Sequence, residues 1–171
     1  MSSNSPLVAV LMGSTSDWDT MQHCSAQLSE LGIAHECRAI SAHRQPGQLH
    51  DFIDDATARG VKVFIGAAGG AAHLPGVLAS STDKPVLGVP MKGWSTAGVD
   101  ALMSIAQMPG GVPVGCLAIG KAGAKNAAYL AAQILANADS ALAERLLAER
   151  QANAQSVEEK NKVLQERFKS E

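Results

Sequence analysis

Five times along this chain a short, strand-length stretch gives way to a segment of different period, and that alternation constrains the fold more than any other feature. The first stretch, "PLVAVLMG", is almost continuously apolar and ends on glycine, the mark of a strand covered on both faces. Trp18, Met21, Ser25, Leu28 and Leu31 then fall at spacings of three and four, and Gly32 follows. The spacing predicts a helix over 17–31 closed by a glycine cap. Next, "IAHECRAI" reads as a more polar strand. Pro46 suits the first turn of the helix after it, in which Leu49, Phe52, Ile53 and Ala56 trace a buried stripe that stops before Gly60. The pattern continues through "VKVFIGAAGG", the small-residue segment "AAHLPGVLASST", the strand "PVLGVP", a helix near 99–107, and "VPVGCLAIG". Residues 121–137 are rich in alanine, which favours a helix and permits close packing. Asp139 is the expected N-cap of a last helix over about 139–168, whose final turns are too polar for burial within one small domain. They either fray or reach a neighbouring subunit.

Parallel strands need crossover connections, so strands alternating with helices argue for a parallel sheet with helices on both faces. The expected architecture is a three-layer α/β sandwich of five strands with a C-terminal helical extension. At 171 residues, 46% hydrophobic, with no internal repeat or linker, residues 1–171 read as a single α/β domain.

Charge and composition exclude several functions. A net charge of −2 supplies no broad positive field, so nucleic acid is not an expected partner and any anion must be held locally. The three cysteines form no CxxC pair, which fits reduced thiols better than a disulfide framework, and no zinc-type ligand cluster appears. Met-Ser-Ser-Asn-Ser carries no basic residue, the apolar run at 7–12 is too short for a signal core, and no run could span a bilayer. The expectation is a cytoplasmic protein with no membrane partner.

In parallel sheets ligands bind beyond the carboxyl ends of the strands, which directs attention to three loops. "GSTSD", residues 13–17, offers hydroxyls and the start of a helix, a ready cradle for phosphate. Alone, its serines and Asp17 would pass for helix caps, and it lacks both the P-loop lysine signature and a full GxGxxG. "SAHRQP" sets His43, able to exchange a proton near neutral pH, beside Arg44, a permanent forked cation suited to phosphate or carboxylate. Such a pair in isolation is usually solvated; its position at a strand end argues for chemistry. Ser41 either orients the imidazole, contacts ligand or simply makes a turn. In "GAAGGAAHLPG", Gly66, Gly69 and Gly70 allow close approach to the backbone and leave amides free for a carboxylate. His73 lines that pocket or bonds at a helix entry. His23, His35 and His50, by contrast, sit inside elements and read as structural, while Trp18 and the methionines read as core or contact residues. Together the loops suggest a small phosphorylated metabolite handled by proton transfer, without metal or redox cofactor.

The strings "GSTSDW", "SAHRQP", "AGGAAHLPG", "VLGVP", "QMPGGVPVG" and "AIGKAGAKNAA" resemble, in order and spacing over residues 8–135, the PurE family of N5-carboxyaminoimidazole ribonucleotide mutases of purine biosynthesis. "MKGWSTAG" departs from that pattern, which has a more polar, serine-containing stretch there. The resemblance implies a flavodoxin-like three-layer sandwich assembled as a homo-octamer, with sites near subunit interfaces and no cofactor. It implies that Ser14, Ser16 and Arg44 hold the ribonucleotide phosphate, Asp17 a ribose hydroxyl, and His43 the role of general acid and base. Ser41 and the 69–74 loop, with Gly69, Gly70, Ala71, His73 and Leu74, would surround the imidazole and the migrating carboxylate. A second class of the family carboxylates aminoimidazole ribonucleotide directly and typically has lysine after the SAH histidine, so Arg44 favours the mutase. A non-catalytic module that binds phosphorylated metabolites stands as the reading from a different class.

Overall fold

The computed structural model describes residues 5–93 and 95–169; residues 1–4, read above as free of a leader's basic charge, and Trp94 of "MKGWSTAG" lie outside the described residues. The chain divides into two compact units, Met1–Ala132 and Gln133–Glu171.

In the first unit the five strands are β1 (Val8–Met12), β2 (His35–Ala39), β3 (Val63–Ala68), β4 (Val86–Pro90) and β5 (Gly115–Cys116). They form one parallel sheet in the order β2-β1-β3-β4-β5. Between them run α1 (Trp18–Glu30), α2 (Pro46–Arg59), α3 (Leu74–Ser80) and α4 (Val99–Ala106), and α5 (Lys121–Ala136) follows β5. Sequence and position agree strand by strand. The central strands β1, β3 and β4 are buried along their whole length, as their apolar runs require. Strand β2 lies on an edge and is half-buried to exposed, which explains the polar "HECRA". The fifth strand is cut to two residues; Pro113, two positions earlier, has no N–H for the ladder.

Alternation along each strand sends residues to opposite faces. Ala9, Leu11 and Phe64 join Leu49, Ile53 and Ala56 of α2, Leu78 of α3, and Ala101 and Ile105 of α4 in one apolar cluster. Each fully buried Leu, Ile or Phe there contributes about 1.5–3 kcal/mol. On the other face lie Val8, Val10 and Met12, and α1, which touches β1 and β2, buries Met21, Cys24 and Leu28. Burial pushes the Cys24 thiol up to about 12, so it packs as a small hydrophobe. Helices therefore cover both sides of the sheet.

At Gly66 and Gly123, among other glycines, the space a Cβ would take is already close to other atoms. A Cβ on Gly66, in β3, would stand 2.9 Å from Leu78 Cδ1 and 3.3 Å from Pro75 Cα, at the start of α3. One on Gly123, in the first turn of α5, would fall 1.6 Å from the Ala118 carbonyl oxygen.

Three details refine the expectation. The first turn after β1 is a 3-10 helix, Thr15–Asp17, that leads into α1. The small-residue segment "AAHLPGVLASST" contains α3, which starts just after His73 and buries Leu74, Pro75 and Leu78. Trp18 is 42% exposed, so it is a contact residue and not a core one. The structural reading of His35 fits: its Nε2 lies 2.8 Å from Ser25 Oγ and its Nδ1 2.9 Å from the Ile33 carbonyl oxygen.

In the second unit, the Asp139 carboxylate accepts from the Leu142 N–H at 3.0 Å and caps α6 (Ser140–Lys169). Leu147, Val157, Val163, Leu164 and Phe168 are exposed along this 30-residue helix.

Candidate active site

After β1 the chain turns to the edge strand β2, whereas after β3 it turns the opposite way to β4. The carboxyl ends of β1 and β3 therefore flank the crevice where ligands bind in sheets of this kind. A cleft of about 640 Å³ opens there, within the usual range for small-molecule sites.

Four loops line it. From the β1 loop come Ser14, Ser16 and Asp17; from the β2 loop, Ser41, His43 and Arg44; from the β3 loop, Gly69, Ala71, His73 and Leu74. Gly70 is the expected site residue that does not line the cleft. It is buried at φ 61° and shapes the turn beneath it. The fourth loop, Met91 to Gly93 after β4, begins the "MKGWSTAG" stretch that departs from the family pattern, and none of its residues was expected in the site.

Local bonds fix the parts. Ser14 Oγ accepts from the Ser16 N–H at 3.2 Å and from the Ser16 hydroxyl at 2.8 Å, so the two hydroxyls sit side by side. Half-burial pushes the Asp17 carboxyl above its usual value, opposed by a hydrogen bond from the Ser14 backbone. Ser41, 9% exposed, anchors the second loop: its hydroxyl accepts from the Arg44 N–H at 3.3 Å and Nε–H at 3.4 Å. Arg44 Nη2–H reaches the Gly13 carbonyl at 3.4 Å, so the guanidinium lies against the serine loop and makes no ion pair with a described carboxylate. Two hydroxyls beside a forked, unneutralised cation suit a phosphate.

The histidines meet although they lie 30 residues apart in sequence. His43 Nε2 stands 2.8 Å from His73 Nδ1, with ring centroids 4.9 Å apart and planes at 89°. Strands β2 and β3 flank β1, so the loops that follow them can converge over its end. One hydrogen lies between the two nitrogens, donated by one ring and accepted by the other. Both rings are exposed in the single chain, open to a ligand in the cleft.

A doubly wound parallel sheet with hydroxyls, a guanidinium and an imidazole pair on one crevice is the frame of a small-molecule-binding α/β protein. The chain belongs to the AIR carboxylase family, whose sequence model matches residues 7–156. Among curated relatives, the N5-carboxyaminoimidazole ribonucleotide mutase of Brucella melitensis is 54% identical over 153 residues, spanning 90% of this chain and 94% of the relative. Those of Bacillus subtilis and Escherichia coli K12 are 50% and 52% identical, covering 93% and 91% of this chain and 98% and 93% of theirs. A crystal structure of Treponema denticola PurE superposes with a TM-score of 0.82 at 30% identity, covering 90% of this chain and 95% of that one.

Proposed function

We propose that this chain is an isomerase of purine biosynthesis that moves the carboxylate of N5-carboxyaminoimidazole ribonucleotide from the exocyclic nitrogen to ring carbon C4. The observation that carries the reading is the convergence of His43, His73, Arg44 and the Ser14–Ser16 hydroxyl pair on one cleft. Identity of half or more to relatives named as this mutase, across nearly their full length, supports it.

The mechanism follows from the placement of the groups. Ser14, Ser16 and Arg44 hold the phosphate, and Asp17 accepts from a ribose hydroxyl. With that end clamped, the heterocycle reaches the histidines. The carbon–nitrogen bond to the carboxylate breaks, CO2 departs, and His43 delivers a proton to the exocyclic nitrogen. The ring carbon then attacks the CO2, and His43 removes the proton which that carbon carried. One imidazole thus gives and regains a proton, and no net proton is consumed. Ser41 and the loop of Gly69, Gly70, Ala71, His73 and Leu74 enclose the CO2, raising its effective concentration beside the carbon nucleophile.

Both histidines are exposed in one chain, whereas retention of CO2 needs a closed site. The family resemblance implies that residues 1–171 act as one α/β domain in a cytoplasmic homo-octamer, an assembly in which subunit interfaces close the cleft and α6 rests its exposed apolar residues on a neighbour. Light scattering at micromolar protein is expected to return a mass near eight chains; a monomer mass rejects the assembly.

The test of function is isomerisation without ATP or added bicarbonate. Conversion of the N5-carboxy compound to its C4 isomer under those conditions is the expected result. A strict need for bicarbonate, with aminoimidazole ribonucleotide as substrate, would make the chain a direct carboxylase. Binding of both ribonucleotides without turnover would make it a non-catalytic module.

A further inference from the structure

We propose that Lys92, on the loop leaving β4, is a specificity-determining residue of this cleft: its ammonium pairs with the migrating carboxylate while Arg44 pairs with the phosphate. The inference rests on the mutase reading and adds to it a cation that the three motif-bearing loops do not supply.

Position comes first. Lys92 and its neighbours Met91 and Gly93 line the same cleft as the serine loop and the histidines. The loop is tied down where it begins: the Met91 N–H donates to the Ala68 carbonyl at 2.9 Å, and the Pro90 carbonyl accepts from the Gly120 N–H at 2.9 Å. Arg44 reaches the Gly13 carbonyl and so lies at the carboxyl end of β1. In the strand order β1-β3-β4, Lys92 leaves a strand two places further along. Strands are spaced about 4.8 Å apart, which puts the end of β1, where Arg44 reaches, roughly 10 Å from the end of β4. The histidine pair, carried on the loops after β2 and β3, meets over the end of β1. Lys92 thus adds a cation on the β4 side of the lining, where Arg44 supplies none.

Charge points the same way. Asp17 is the sole acidic residue among the described lining, and it stands at the serine end, beside Ser14. Lys92 is exposed and forms no ion pair with a described carboxylate. A ribonucleotide that carries a carboxylate on or beside its heterocycle is anionic at both ends. Arg44 can answer only one of them.

The residue type also suits the task. The carboxylate sits on the exocyclic nitrogen in the substrate and on the adjacent ring carbon in the product. An ammonium on a flexible four-carbon stem can follow that shift, whereas a guanidinium fork fits one fixed orientation. Between the two states the group is neutral CO2, which has no net charge for the ammonium to hold. Lys92 therefore contributes to the affinity for substrate and product more than to the reaction in between.

The experiment measures two ligands against variants of Lys92. Calorimetry with the C4-carboxylated ribonucleotide and with aminoimidazole ribonucleotide, which lacks the carboxylate, isolates that group. For Lys92→Gln the Kd of the carboxylated ligand is expected to rise roughly 10- to 100-fold, the range for a lost hydrogen bond between charged groups. The Kd of aminoimidazole ribonucleotide should change less than about twofold, and KM should rise while kcat/KM changes little. Lys92→Arg restores most of the carboxylated ligand's affinity. Arg44→Ala weakens both ligands alike, because both carry the phosphate. An equal change in both ligands for Lys92→Gln, or none in either, overturns the assignment; the mutase reading survives that result if the parent protein isomerises its substrate. A parent protein that binds neither ribonucleotide overturns both.

Discussion

Replacing His43 with asparagine is expected to lower turnover by roughly 10²- to 10⁴-fold, the range for loss of a positioned general acid and base. Ribonucleotide affinity should stay near that of the parent protein, because Arg44, Ser14 and Ser16, the proposed phosphate-binding groups, are untouched. Two observations underlie this expectation: His43 lines the cleft, and its Nε2 is held 2.8 Å from His73 Nδ1. The imidazole is thus oriented by a partner and not left to rotate. Asparagine keeps a polar side chain at the position but cannot take a proton in this pH range. Steady-state assay of the isomerisation and calorimetry on the same preparation separate the two effects. Unchanged turnover removes His43 from the chemistry, whereas a matching loss of affinity would make it a binding residue.

The second large effect is on the fold. Gly123→Ala is expected to destabilise the protein by about 3 kcal/mol or more, the upper end for overpacking. The new Cβ would fall 1.6 Å from the Ala118 carbonyl oxygen and 2.7 Å from the Ala118 carbonyl carbon. These are backbone atoms, so no rotamer change relieves the clash; the chain before α5 or the start of the helix has to move. For a protein of this size the melting temperature should drop by roughly 6–12 °C. Gly47→Ala is the control: it lies in the first turn of α2, where a Cβ meets nothing within 4 Å. Alanine there should gain about 0.4–1 kcal/mol through propensity and a less disordered unfolded chain. Parallel thermal melts decide the matter. Equal effects at 123 and 47 would reject the steric account.

The alternation of strand and helix was readable because burial on two faces leaves continuous apolar runs in β1, β3 and β4, and one-sided burial leaves stripes in α1 and α2. Where those pressures relax, the signal fades. Helix α3 has seven residues, among them a proline and a glycine, and its buried Leu74, Pro75 and Leu78 make a stripe too short to establish a period. In the site, Ser14, Ser16, Asp17, His43 and Arg44 stood out because each lies in a loop at a strand end and has a chemically suitable neighbour. The His43–His73 contact did not, since it depends on which strands flank β1. Lys92 was hidden for the same reason: a lone lysine in an irregular loop has no pattern, and only the order of strands brings it to the cleft.

The close seat of α3 on Gly66 ties the interior of the sheet to the chemistry. His73 is the residue before α3 begins, and the atoms a methyl at 66 would meet include Pro75 Cα, in that helix's first turn. Adding one carbon to that floor is expected to push the start of the helix by a few tenths of an ångström, and His73 with it. The spacing of the imidazole pair is gauged from below, by a residue with no atom in the cleft lining.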